Sequence, residues 1–218
     1  MKEFIFATNN KHKLQEVREM LKGIAIVKSL SDVGFAGDIP ETADTLEGNA
    51  RQKVEWVIEK MKENLTQDDC VPDGVFADDT GLEVEALDGR PGVFSARYAG
   101  EHCSFDDNIN KMLGEMEGKD NRRACFRTVI CLAENGERRT ENGERGAGLH
   151  LSTFNFFEGR VDGTILTERY GEGGFGYDPI FMPDRFAVSF AEMPLEVKNR
   201  ISHRGRAIAQ LTEYLKRQ

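Results

Sequence analysis

Cysteine is scarce and scattered in this sequence: Cys70, Cys103, Cys125 and Cys131 form no CxxC pair and no Cys/His spacing that would hold a metal. That argues against a zinc ribbon and a disulfide-dense scaffold, and the thiols read as reduced and structural. Long apolar runs are also lacking, so no segment reads as a membrane span. The apolar stub of MKEFIFATNN is too short for the core of a signal peptide, which makes the cytoplasm the expected location. An excess of basic charge is missing as well. A formal net charge of −9 and a pI near 5.1 argue against a nucleic-acid partner, since polyanion binders carry a basic footprint. A small anion remains allowed, because NKHK and KNRISHRGR concentrate cations locally.

What is present reads as one globular domain over residues 1–218: the 39% hydrophobic and 31% charged residues suit a packed core under a solvated surface. EFIFA predicts a short buried strand, TNNKHK a loop, and LQEVREMLKG a helix with Leu14, Val17 and Leu21 on one face. IAIVKSL predicts a second strand. The longest helix signal is the stripe Leu46, Ala50, Val54, Val57, Ile58, Met61 and Leu65, with Asp44 or Thr45 placed to cap it and Lys53 on the margin of the stripe. VFADD reads as a strand end and Leu82, Val84 and Ala86 as a half-buried strand, with a turn or bulge between them at Thr80-Gly81. Ser104, with Asp107 three residues on, predicts a capped helix. RACFRTVICLAENG, LHLSTFNFFEG and RVDGTIL read as successive strands joined by glycine-containing turns, and the ENGER copies at 134–138 and 141–145 as a polar hairpin tip. Ser202 caps a closing helix. The alternation gives an α/β chain with a mixed sheet.

Four stretches carry candidate chemistry. In ATNNKHK, the passage from strand to helix favours anions at the helix N-terminus, and Lys11 and Lys13 add charge; a simple turn and cap is the competing reading. GEGGFG matches a dinucleotide-binding pattern, but YDPIFMPD puts two prolines where the helix should begin. It reads instead as a glycine loop, with Phe175 and Tyr177 able to approach a flat ligand and Asp178 to accept hydrogen bonds, or as a turn entering a strand. Asp78 and Asp79 cap a turn or, with Glu41, supply the oxygen ligands that Mg²⁺ takes from protein. The basic run Lys198, Arg200, His203 and Arg204 reads as a solvated helix face, with His203 also readable as a satisfied structural histidine, or as part of a site with the other three stretches.

Taken together, FATNNKHKLQEV, ETADTLEGNARQK, FADDTGLEVEALDGRPGVFSARYAG, GGFGYDPIFMPD, SFAEMP and KNRISHRGRA resemble, in order, the HAM1/RdgB-type nucleoside triphosphate pyrophosphatases that act on inosine and xanthosine triphosphates. The resemblance implies an elongated mixed sheet with flanking helices, two lobes around a central cleft, a homodimer and a Mg²⁺ cofactor. It implies a triphosphate loop of Thr8, Asn9, Asn10, Lys11, His12 and Lys13, with Lys53 reaching the phosphates. It makes Asp79 the proton acceptor, Glu41 and Asp79 metal ligands with Asp78 close by, and Thr80 a substrate contact. Phe175, Gly176, Tyr177 and Asp178 would form the nucleobase loop, and Lys198, His203 and Arg204 the surroundings of the purine and its 6-oxo group. The implied activity converts ITP, dITP and XTP to monophosphates and pyrophosphate. A Maf-type pyrophosphatase for modified pyrimidine nucleotides and a non-catalytic nucleotide sensor are the alternatives.

Overall fold

The computed structural model describes residues 1–64, 71–135 and 151–217. Cys70, Leu65 and most of the duplicated ENGER segment lie outside them. Within them, seven strands and five α-helices follow in the order β1 (Glu3–Phe6), α1 (Lys11–Met20), β2 (Ile26–Lys28), α2 (Leu46–Asn64), β3 (Gly74–Val84), β4 (Pro91–Gly92), α3 (Phe105–Glu115), β5 (Arg123–Asn135), β6 (Leu151–Ile165), β7 (Phe181–Pro183), α4 (Leu195–Ile201) and α5 (His203–Lys216). The sheet order is β2-β1-β3-β5-β6-β7, with β4 paired to β3. β1 runs parallel to β2 and β3, while β3/β4 and β6/β7 are antiparallel. The sheet is mixed, as the sequence pattern led us to expect, and carries flanking helices, as the resemblance implied.

The chain divides into two compact units: Met1–Asp79, Val129–Phe157 and Leu211–Gln218 in the first, Thr80–Thr128 and Glu158–Gln210 in the second. The first is organised by α2. Thr45 Oγ1 accepts from Gly48 N at 3.0 Å and starts the helix. The helix then buries Ala50, Val54, Val57 and Met61 against Ile5 of β1, Val75 and Ala77 of β3 and Cys131 of β5. Each large apolar side chain sealed in this way contributes about 1.5–3 kcal/mol. Helix α1 begins at Lys11, three residues before its apolar stripe, because Asn10 Oδ1 accepts from both His12 N and Lys13 N and turns the loop into a first helical turn.

In the second unit, α3 starts with the capping box that Ser104 and Asp107 promised: Ser104 Oγ accepts from Asp107 N, and Asp107 accepts from Ser104 N. Its Ile109 and Met112 pack into a core with Leu82, Val84, Phe126 and Phe181. Two glycines behave differently from the sequence reading. No turn interrupts the chain at Thr80-Gly81. β3 runs through the pair, and Gly81 is there because a Cβ would lie 2.8 Å from the Gly92 carbonyl oxygen of β4. Gly159 likewise separates no strands: β6 is continuous, and a Cβ at 159 would collide with the backbone of His203 where α5 crosses. The strand also stops at Val84, and Ala86 sits in a 3-10 turn of Glu85–Leu87.

Candidate active site

The first unit assembles a cluster around one buried ammonium. Lys53, 4% exposed, projects from α2 and donates to Asp79 Oδ1 at 2.8 Å and to the Asp78 carbonyl oxygen at 3.0 Å. Glu41 Oε1 lies 2.5 Å from the same nitrogen. The Asp78 carboxylate turns elsewhere and accepts from Lys13 Nζ at 2.9 Å. Burial is the largest single influence on Lys53 and by itself opposes its charge. The attraction of Asp79, Glu41 and Asp78 and the hydrogen bond to Asp79 outweigh it, and hold the lysine above its ordinary pKa.

The Thr8–Lys13 segment is more committed than its sequence suggested. Asn9 Nδ2 donates to Gly37 O, Asn10 N donates to Thr8 Oγ1, and the His12 and Lys13 amides are taken up by Asn10. An anion here therefore meets side chains, with Lys11 and His12 exposed and Lys13 beside Asp78, more than a ring of open helix amides.

The second unit assembles a cluster around Asp178. Its Oδ2 accepts from Phe175 N at 2.8 Å and from Lys198 Nζ at 2.6 Å, with both Asp178 and Lys198 buried. Gly174 and Gly176 take φ of +72° and +61°, which lets the loop fold back onto that carboxylate. Lys198 Nζ and Arg204 Cζ lie 5.0 and 5.5 Å from the centre of the Phe175 ring. Arg204 Nη2 donates to Thr80 Oγ1 at 3.3 Å, and Thr80 Oγ1 is 2.7 Å from Thr128 Oγ1. His203 is buried and stacks on Phe126, with ring centres 4.5 Å apart.

Most of the residues singled out in the sequence thus fall into these two clusters. The solvated-face reading of the basic run holds only for Arg200; Lys198, His203 and Arg204 are buried. Tyr177 also needs correcting. Its ring belongs to the core and its hydroxyl donates to Ser95 O, so it does not present a face to a flat ligand. The sequence reading missed Asn49, which is fully buried and donates to Asp79 Oδ2 at 3.1 Å, and Thr128 behind Thr80. The one signal for Asn49 was its place a single helical turn before Lys53.

Two hard oxygen donors, Glu41 and Asp79, already share one cation in Lys53, which is the carboxylate count that Mg²⁺ takes from protein while keeping water and phosphate oxygens elsewhere. The donor set therefore fits that ion. Among the described residues, no group of three or more His, Cys, Asp or Glu side chains forms a complete cage.

A model of the Ham1 family matches residues 4–214. The dITP/XTP pyrophosphatase of Porphyromonas gingivalis is 49% identical over 216 residues, covering 99% of this chain and 98% of the relative. That of Flavobacterium johnsoniae is 46% identical and covers 98% and 97%. Among solved structures, the Ham1 protein of Staphylococcus aureus superposes with a TM-score of 0.77 at 35% identity, covering 99% of this chain and 98% of that one. The HAM1 protein of Coxiella burnetii gives 0.80 at 32%, with full coverage of both chains.

Proposed function

The chain belongs to the Ham1 family, and on that premise we propose that it hydrolyses non-canonical purine nucleoside triphosphates, dITP, XTP and ITP, to monophosphate and pyrophosphate, as a single catalytic domain of 1–218. The observation that carries the reading is that one Ham1 chain holds two unlike clusters: carboxylates gathered on Lys53, and hydrogen-bond donors gathered around Phe175 and Asp178. A nucleoside triphosphate has two ends that want these two chemistries.

For the polyphosphate end, Lys13 and Lys53 supply positive charge to phosphate oxygens, and Glu41 and Asp79 would hold Mg²⁺, with Asp78 holding Lys13 in place. Bound Mg²⁺ supplies neutralisation of phosphate charge. Asp79 accepts the proton of the water that attacks the α-phosphorus, and pyrophosphate leaves from the opposite side. For the base, Lys198, His203 and Arg204 offer donors to a 6-oxo group, and Phe175 offers its ring. The 6-amino group of adenine would leave such donors unpaired, at about 1–3 kcal/mol for a buried one. GTP shares the 6-oxo group, so its exclusion rests on its 2-amino group. A homodimer acting on the cytoplasmic nucleotide pool completes the proposal; among the described residues no helix is long and apolar enough to cross a membrane.

The test is pyrophosphate release with Mg²⁺ across the common and deaminated triphosphates, with and without chelator. We expect dITP, XTP and ITP to lead and chelation to stop turnover. Preference for a pyrimidine triphosphate would favour the Maf-type reading, and calorimetric binding without product a sensor.

A further inference from the structure

We propose that Asn49 is a positioning residue, whose side-chain amide fixes both the rotation of Asp79 and the path of the segment that carries Glu41. The inference rests on the reading above for its catalytic consequence, though not for its geometry. Asn49 lies on α2 four residues before Lys53, so both side chains leave the same face of one rigid helix. It is fully buried, and both ends of its amide are engaged: Nδ2 donates to Asp79 Oδ2 at 3.1 Å and Oδ1 accepts from Ala43 N at 2.9 Å. A backbone N–H can be met only by the amide oxygen and a carboxylate only by the amide nitrogen, so each bond demands the same orientation and a flip breaks both.

Gln52, one residue before Lys53, completes the arrangement from the same helix. Its Oε1 accepts from Thr42 N at 2.9 Å and its Nε2 donates to Thr42 Oγ1 at 2.8 Å. The segment 41–43 belongs to no helix or strand, and its Thr42 and Ala43 amides are satisfied by two α2 side chains. Lys53 attracts Asp79 and Glu41, but an ammonium with rotatable donors does not set the angle of a carboxylate. The amides set it. They tie Glu41, Asp79 and Lys53 to one helix, so that the three keep their spacing when other groups arrive.

The experiment compares wild type with Asn49→Asp, Asn49→Ala and Gln52→Ala in steady-state hydrolysis of dITP and in amide hydrogen exchange. Asn49→Asp keeps an acceptor for Ala43 N and sets a carboxylate against Asp79 where the donor had been. We expect the Ala43 amide to stay protected while kcat falls about 10- to 100-fold with KM within threefold, the size seen when an outer-shell partner is lost. Asn49→Ala should lose Ala43 protection as well, and Gln52→Ala should lose protection at Thr42 alone. If Asn49→Ala does not fold, Asn49→Asp carries the test. Turnover of Asn49→Asp within threefold of wild type overturns the inference. So does an Ala43 amide that stays protected in folded Asn49→Ala, a result that needs no substrate and stands even if wild type releases no pyrophosphate. A wild type without activity overturns the functional reading instead.

Discussion

Lys53 and Lys198 are both buried lysines on helices, each within 3 Å of an aspartate oxygen, and their surroundings are opposite in kind. Lys53 meets the carboxylates of Asp79 and Glu41, with Asp78 adding its field, so acid exceeds base around it. Lys198 meets the Asp178 carboxylate and the faces of Phe175 and Phe190, and it shares the Phe175 ring with a second cation, Arg204. A buried charge must be compensated in either place. The lesson lies in the sign: carboxylates gather on a cation in the first cluster, and cations gather on an aromatic ring and a carboxylate in the second.

The comparison breaks most visibly at Asp79. Asp79→Asn keeps shape and removes the excess of acid around Lys53; we expect kcat for dITP to fall about 10³-fold, the scale of a lost general base, in single-turnover pyrophosphate release. The matching change in the second cluster is Lys198→Met. It removes a donor and leaves the Lys53 group intact, so the expected result is a narrowed preference for dITP over dATP, by about 10- to 100-fold in kcat/KM. If Lys198→Met lowered both substrates equally, the division of labour between the clusters would fail.

The alkaline limb probes the first cluster. Lys53 is held above the ordinary lysine value of 10.5 by its carboxylates, against the effect of burial. A group with a raised folded pKa contributes stability that is fully present below its unfolded pKa and lost as pH rises through the folded one. Stability measured by denaturant melts should therefore fall more steeply above pH 10.5 in wild type than in Lys53→Met.

How much of this was legible depended on the range of the forces involved. α2 and α3 announced themselves, because a 3.6-residue stripe and a Ser104–Asp107 box are local signals. The start of α1 was misjudged because Asn10 caps ahead of the apolar stripe. Gly81 and Gly159 read as punctuation because their reasons, the Gly92 carbonyl and the backbone of α5, lie far along the chain. The same holds for the site. Asp79 with Glu41 and Lys53 on the stripe margin stood out locally and the family resemblance joined them, but the burial of Lys198, His203 and Arg204 comes from tertiary packing and no charge count reveals it. Asn49 stayed hidden because a polar residue in the first turns of a helix ordinarily faces water.

The smallest effect compares the two units along one strand. Cys125 falls in the second unit and Cys131 in the first, six residues apart on β5. Burial comes first among the causes that push each thiol up to about 12, aided at Cys125 by the charge of Glu83 and offset in part at Cys131 by Arg51. At pH 8 only about 10⁻⁴ of either is thiolate, and the thiolate is the nucleophile. Native protein treated with an alkylating reagent should label Cys103, which is partly exposed, while both β5 peptides stay unmodified in a mass-spectrometric map. Raising denaturant below the global transition then reports local opening. Because a hydrogen-bonded strand frays from its ends, Cys125, near the Arg123 end, should label before Cys131, in the strand interior. Equal rates would mean that β5 opens only as a whole, and the two units would then share one cooperative transition.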